Sequence, residues 1–277
     1  MSLFVKMQPY APLKFSTWVF GMLAQIKIPF IKNYFIRKFI RKYNINMEEA
    51  LDPNIDAYPT FNDFFSRRLK PGARIWVTPP ALPSPVDGFI SQMGSIEHDT
   101  MIQAKGLDYT VAELFMDNIL AERFQHGTFA TLYLSPRDYH RVHIPTDASL
   151  TSMTFIPGRL FSVNPDTVAH HPKLFARNER LVCHFETSRG PMAIVLVGAL
   201  NVASMFISWE AKPIRYNEVK TFHYHPPKFF KRGDELGGFL MGSTAILLFP
   251  QAMVAWDPSL KPLDEIKMGQ ALGVFGS

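Results

Sequence analysis

Beyond residue 47 the apolar residues gather into short strand-like runs, and this pattern restricts the fold more than any other feature. The runs cover 88–93, 129–134, 181–185, 193–197, 202–208 and 245–249. Their residue types and flanking turn formers read as β-strands. A helical period returns at 111–124. Helices do not alternate with the strands, which argues against a doubly wound parallel sheet. The expectation is an α+β fold, a mainly antiparallel β core with amphipathic helices at the N-terminus and in inserts. A short helix is predicted within 58–68, with Thr60 as its N-cap. Pro79, Pro80, Pro83 and Pro85 then make a stiff, extended connection. The single cysteine, Cys183, excludes an internal disulfide and a multi-cysteine metal site. Its place in 181–185 makes it a core or sheet residue.

Charge divides the chain differently. The whole carries +5, yet residues 1–47 hold Lys6, Lys14, Lys27, Lys32, Arg37, Lys38, Arg41 and Lys42 and no acid, so the remainder nets −3. A basic end on a mildly acidic body points to an anionic surface. Phe15, Val19, Met22, Leu23 and Ile26 recur at helical spacing, and Pro29 is expected to end or kink that helix. A second period follows in Ile31, Phe35, Ile36, Phe39 and Ile40, with Arg37 and Arg41 opposite. Lys32 and Lys42 fall on the apolar arc and are expected to snorkel. The first run is shorter than the ~20 apolar residues a bilayer span needs. Residues 1–45 therefore read as a membrane-associating pair of amphipathic helices lying in the plane of an anionic bilayer. The alternative is a helical hairpin packed on its own domain with its lysines solvated. No zinc-finger, helix-turn-helix or single-strand-binding signature supports nucleic acid as a partner.

Candidate chemistry rests on a few residues. Asp87 lies in Ser84-Pro85-Val86-Asp87-Gly88, which alone is the common use of Asp-Gly in a turn. His140 and His143 stand three apart in Asp138-Tyr139-His140-Arg141-Val142-His143. On an extended chain they face opposite ways; in a turn both can reach one cavity. No His-Glu-x-x-His and no neighbouring cysteine accompany them, so no metal site is expected. Ser243 follows Gly242 and leads into the run 245–249. Asp87, His143 and Ser243 could form a serine hydrolase triad, for which chain order is immaterial. However, Ser243 lacks the Gly-x-Ser-x-Gly elbow. Gly242 instead suits a self-cleaving bond, because glycine accepts a strained backbone and leaves its carbonyl open to attack.

Taken together, Ser84-Pro85-Val86-Asp87-Gly88, Asp138-Tyr139-His140-Arg141-Val142-His143-Ile144-Pro145, Pro157-Gly158-Arg159-Leu160-Phe161-Ser162-Val163-Asn164 and Gly242-Ser243-Thr244 resemble motifs of the membrane phosphatidylserine decarboxylases, in the family's order. Phe61-Asn62-Asp63-Phe64-Phe65, Phe175-Ala176-Arg177-Asn178-Glu179-Arg180, the run 233–237 and Lys267-Met268-Gly269-Gln270 are similar too, so the resemblance covers roughly residues 58 to 270. Met241 stands where the family more often has leucine, and Ala203 where glycine is more usual.

The resemblance implies a catalytic domain of residues 46–277 that cuts itself between Gly242 and Ser243. His143, held by Asp87, would take the Ser243 proton. The serine oxygen would attack the Gly242 carbonyl, and elimination from the ester would leave a covalent pyruvoyl cofactor at position 243, with loss of ammonia. The products, residues 1–242 and 243–277, would stay together as a heterodimer able to pair further, with 245–249 inside the larger chain's sheet. In catalysis position 243 would form a Schiff base with phosphatidylserine. His140 would donate a proton after carbon dioxide leaves, giving phosphatidylethanolamine without nucleotide or metal. The implied location is peripheral, on the cytoplasmic side of the cell membrane.

Overall fold

The computed structural model describes residues 5, 7, 8, 10, 13–104, 106–200, 205–210, 212–240 and 243–276. Its N-terminal part is a helical hairpin of α1 (Leu13–Leu23) and α2 (Pro29–Tyr43). Pro29 does not kink α1. It occupies the first turn of α2, where its missing N–H costs no helical bond. Asn44 stops α2 in the left-handed conformation, φ 51°. The next helix, α3 (Phe61–Phe65), begins at Thr60, whose hydroxyl accepts the Asp63 N–H at 3.2 Å, so the expected cap forms. Ala24, Ile36, Phe61, Phe64 and Phe65 make a small core between hairpin and body. Phe39 joins it edge-on, its ring 5.1 Å from Phe61 and 5.9 Å from Phe65. The other side of the hairpin leaves Phe15, Phe30, Tyr34 and Phe35 exposed. Lys32 departs from expectation: it is buried and does not snorkel. Its ammonium donates to Asn33 Oδ1 of the same helix (2.7 Å) and to the Ile55 carbonyl (3.3 Å), and an isolated helix does not supply the second partner.

The body begins with β1 (Ala81–Pro83), β2 (Gly88–Ser95), and the hairpin of β3 (Thr100–Ala104) and β4 (Leu107–Thr110). Two short helices follow, α4 (Val111–Phe115) and α5 (Asn118–Glu122), where one continuous helix over 111–124 was expected. Met116, at φ 52°, ends α4, and Asp117 caps α5 by accepting the Leu120 N–H at 3.0 Å. Next come β5 (Thr128–Leu134), β6 (Arg141–His143), β7 (Ala148–Ile156), α6 (Pro165–Val168), α7 (Leu174–Arg177), β8 (Arg180–Thr187) and β9 (Gly190–Val197). The chain then forms β10 (Met205–Ile207), β11 (Lys220–Phe230), β12 (Glu235–Phe239) and β13 (Ser243–Phe249). It closes with β14 (Val254–Trp256), β15 (Glu265–Ile266) and β16 (Ala271–Phe275). Of the strand expected over 202–208, residues 202–204 lie outside the described residues.

Eight strands form one antiparallel sheet in the order β11-β7-β8-β9-β13-β5-β2-β15. This bears out the α+β, mainly antiparallel expectation. Both faces of its centre are covered. Along β13, Ala245, Leu247 and Phe249 enter one core with Leu132, Leu196 and Phe239, while Ile246 and Leu248 enter another with Val182, Val195 and Phe175. Side chains alternate across a strand, so a strand buried on both faces needs an unbroken apolar run. Small sheets β1-β16-β14 and β10-β12-β6 supply residues of the first core, and α4 to α7 supply residues of the second. Cys183 is a buried residue of β8, and burial pushes its thiol pKa up. The edge strand β11 escaped prediction because Pro226 and Pro227 interrupt its pattern; the irregularity falls between His223 and Lys228, where an edge tolerates proline.

Candidate active site

Ser243 opens β13, opposite Leu134 at the end of β5. On the other side of β5, Gly88 opens β2. Any side chain at Gly88 would meet the Tyr133 carbonyl, 2.3 Å from a built Cβ, and its φ of +157° also disfavours one. Glycine there lets β2 approach, and this brings Asp87 to the same end of the sheet as Ser243. Loop 135–140 continues from β5 and delivers His140 and then, through β6, His143. The His143 N–H donates to the Pro85 carbonyl (2.9 Å), which ties β6 to the turn that carries Asp87. The His140 carbonyl accepts the Phe239 N–H (3.0 Å), four residues before Ser243. Asp87, His140, His143 and Ser243 are therefore placed by backbone pairing of their own or neighbouring residues.

Their side chains have distinct partners. The Ser243 Oγ is fully buried and has no hydrogen-bond partner among the described residues. His140 donates from Nδ1 to the Asp138 carbonyl at 2.8 Å, which leaves the lone pair on Nε2; that nitrogen too is buried and unpartnered among the described residues. The ring packs 4.1 Å from Phe65. Burial pushes its pKa down to about 3, so it is neutral at pH 7 rather than poised near neutrality. His143 donates from Nδ1 to the Gly233 carbonyl (2.8 Å), and its Nε2 accepts the Tyr139 hydroxyl (3.0 Å). Burial lowers its pKa as well, which leaves Nε2 with the lone pair of a base.

Asp87 is buried, and its carboxylate is turned to Arg74. Arg74 Nε donates at 2.9 and 3.2 Å, Nη2 donates to the same group, and the Met268 N–H adds a bond of 2.9 Å. Arg74 also holds Glu49 at 2.7 Å. Burial opposes the charge of Arg74, but hydrogen bonds and charge from Asp87 and Glu49 outweigh it and raise its pKa. No hydrogen bond joins Asp87 to His143, and none joins His143 to Ser243. The continuous relay of a serine hydrolase is thus not assembled among the described residues. The two histidines do not share surroundings either: His140 lies against Phe65, His143 against Tyr139 and Trp76. Gly242 lies outside the described residues.

Sequence reasoning missed Arg74 and the Tyr139 bond to His143. Arg74 carries no motif beyond its charge; its importance comes from a partner 13 residues away. Asp138, noted only as a neighbour, is held up to about 6 by burial while the Ser135 N–H (2.7 Å) works against the rise. Among the described residues no group of three or more His, Cys, Asp or Glu could hold a metal ion.

Fold and site therefore define an α+β protein that carries a buried, unpartnered serine, two imidazoles (one buried, one half-buried) and a buried carboxylate at one end of its main sheet. Comparison makes the family specific. Residues 61–274 match the family model described as "Phosphatidylserine decarboxylase", and residues 3–44 match a second, "PSD". A phosphatidylserine decarboxylase proenzyme of Methylobacillus flagellatus is 46% identical over 97% of each chain. One of Hahella chejuensis is 45% identical over 98% of this chain and 93% of its own. One of Polaromonas naphthalenivorans is 48% identical over 91% and 89%. The chain belongs to the phosphatidylserine decarboxylase family.

Proposed function

We propose that this chain is a proenzyme that cuts itself between Gly242 and Ser243 and then decarboxylates phosphatidylserine to phosphatidylethanolamine and carbon dioxide. The observation that carries this reading is the Ser243 Oγ, buried and unpartnered at the start of the central strand. Burying a hydroxyl without a partner costs stability, so a site that does so has a use for it. Nε2 of His143 is the base for the Ser243 proton. Tyr139 holds that nitrogen in the uncut arrangement and must release it for the transfer. Asp87 supports the imidazole through its charge, which raises the proton affinity of His143, and Arg74 fixes the carboxylate in place.

A pyruvoyl group at position 243 would supply an electrophilic ketone and a sink for the electron pair that carbon dioxide leaves behind. The chain's own residues exclude water from that position and deliver protons. His140 Nε2 is the proposed donor. A neutral ring has its proton on Nδ1, so His140 must first take one up. An anionic substrate beside it raises its affinity for that proton.

The hairpin is the proposed membrane contact. Phe15, Phe30 and Phe35 stand out on its surface beside Lys27, Arg37, Lys38 and Arg41. Aromatic and basic groups together favour the interface of an anionic leaflet, and the cytoplasmic leaflet is the anionic one. No helix among the described residues is long and apolar enough to cross a membrane. The two chains would remain one particle, because β13 is paired on both sides.

Intact mass under denaturing conditions tests the central claim. Two species divided between Gly242 and Ser243, the smaller reactive toward a carbonyl reagent, are expected. A purified chain that decarboxylates phosphatidylserine while remaining a single uncut mass would overturn the reading.

A further inference from the structure

Two arginines near the site carry guanidinium nitrogens without a hydrogen-bond partner among the described residues, Arg232, which is half-buried, and Arg67. Arg67 follows α3 and is only 5% exposed. Its Nη2 donates to the Arg137 carbonyl (3.1 Å), but Nε and Nη1 are buried without a hydrogen-bond partner among the described residues. Its guanidinium lies 5.6 Å from the Phe64 ring centroid, a contact that orients the fork. A buried guanidinium with two unused donors is costly unless something supplies oxygens.

The side chain borders a polar cleft of about 110 Å³ with Arg74, Arg137, Asp87, Asp138 and Tyr139. The acids at this cleft have cationic partners. Arg74 takes Asp87 and Glu49; Arg137 takes Glu265 at 3.0 Å and lies 3.7 Å from Asp138; Lys267 also bonds Glu265. Arg67 forms no such ion pair among the described residues. The four carboxylates lining this cleft (Glu49, Asp87, Asp138, Glu265) balance its four cationic side chains, so what Arg67 offers an anion is not surplus charge but the unused N–H groups on Nε and Nη1. The cleft also touches the catalytic segments, since Asp87 and Tyr139 line it and Tyr139 bonds His143.

We propose that Arg67 is the binding residue for the phosphodiester of the lipid headgroup, an inference that rests on the decarboxylase reading above. The substrate carries two anionic groups, and only one suits this residue. The carboxylate loses its charge as carbon dioxide departs, so an arginine on it would hold the ground state more tightly than the transition state. The phosphodiester keeps its charge throughout. Binding it is uniform along the reaction and acts on KM rather than kcat.

The test compares Arg67→Gln and Arg67→Lys with the unaltered enzyme. Intact mass first establishes that each variant cuts itself, which reports a folded precursor. Rates are then measured on dispersed phosphatidylserine and on O-octanoyl-L-serine, which keeps the amine and carboxylate but lacks phosphate. Arg67→Gln is expected to raise KM for phosphatidylserine about tenfold or more, with kcat changed little, and to leave KM for the phosphate-free compound where it was. Arg67→Lys should recover part of the loss. An equal penalty on both compounds means a structural role and overturns the proposal, as does no penalty on either. Failure of the unaltered chain to act on phosphatidylserine would instead remove the decarboxylase reading.

If Arg67→Gln does not mature, calorimetry on the uncut Ser243→Ala chain gives an independent answer. Glycerophospho-L-serine should bind more tightly than inorganic phosphate, and adding Arg67→Lys should weaken it severalfold. Equal affinity with and without that change overturns the proposal. Binding of inorganic phosphate as tight as the headgroup compound also overturns it, because the cleft would then be a free-phosphate site.

Discussion

The strand β13 and the helical hairpin α1–α2 are both rich in apolar residues, and the structure treats them in opposite ways. All seven residues of β13 are buried and paired with β5, Thr244 to Leu248 pair with β9 as well, and the strand is packed on both faces. The hairpin packs one face through Ala24, Ile36 and Phe39 and leaves Phe15, Phe30 and Phe35 in the open. Apolar content alone does not separate a core element from the proposed membrane contact. What separates them is charge: the hairpin region carries eight bases and no acid, whereas β13 carries no charge at all. Buried pairing suits a segment that must stay in place after its chain is cut. Exposed apolar groups with a basic rim suit the lipid contact proposed for the hairpin.

The sharpest way to break this contrast is at the head of β13. Ser243→Ala is expected to abolish cutting and decarboxylation completely, read as one unbroken mass with no carbonyl reactivity; two chains from this variant would remove Ser243 from the chemistry. Within β13, Leu247→Ala should lower unfolding free energy by about 2–5 kcal/mol in a urea titration of the uncut chain. On the hairpin, Phe35→Ser should change it by less than about 0.5 kcal/mol. Equal losses would show that the hairpin's outer face belongs to the core.

Acid should separate the two regions further. His140 and His184 are buried with pKa values pushed down to about 3 and about 4 by desolvation. Below about pH 6.5 the unfolded chain protonates histidines that stay neutral when folded, so stability falls as pH drops toward 4. The loss is only partly offset by Asp138, whose pKa of about 6 lets the folded chain take up that carboxylate's proton first. The hairpin region has no histidine or carboxylate side chain. Its vesicle binding should stay level over pH 5–8 while the thermal midpoint declines at the acid end. A midpoint that does not move between pH 7 and 5 would contradict the buried neutral imidazoles. The smallest expected effect is electrostatic. Arg37→Glu with Arg41→Glu should weaken binding to anionic vesicles in low salt, at about 1 kcal/mol for each basic charge lost, and leave binding to neutral vesicles nearly unchanged. Unaltered anionic binding would move the membrane contact elsewhere.

Much of this protein was readable along the chain. The uncharged run after Ser243, the Asp87 turn, the His140–His143 spacing and the acid-free N-terminus are local patterns. Period, turn residues and charge lie in neighbouring positions, and local sequence records them. The break at Met116 went unread because a left-handed residue followed by the Asp117 cap interrupts the helical period locally. The strand through Pro226 and Pro227 went unread because its pairing with β7 overrides the prolines.

Site interactions divide along the same line. Which residues to propose for the chemistry could be chosen from motifs. Which atoms they meet could not: Arg74 on Asp87, Tyr139 on His143, and Arg67 without an acid all arise from segments brought together across the sheet end. Protonation belongs to the tertiary structure as well. A histidine in sequence titrates near neutrality, but His140, enclosed against Phe65, is held neutral because burial removes the water that would stabilise its charge. Local order along the chain supplies the parts. Their energies depend on contacts and desolvation that exist only once distant segments pack together.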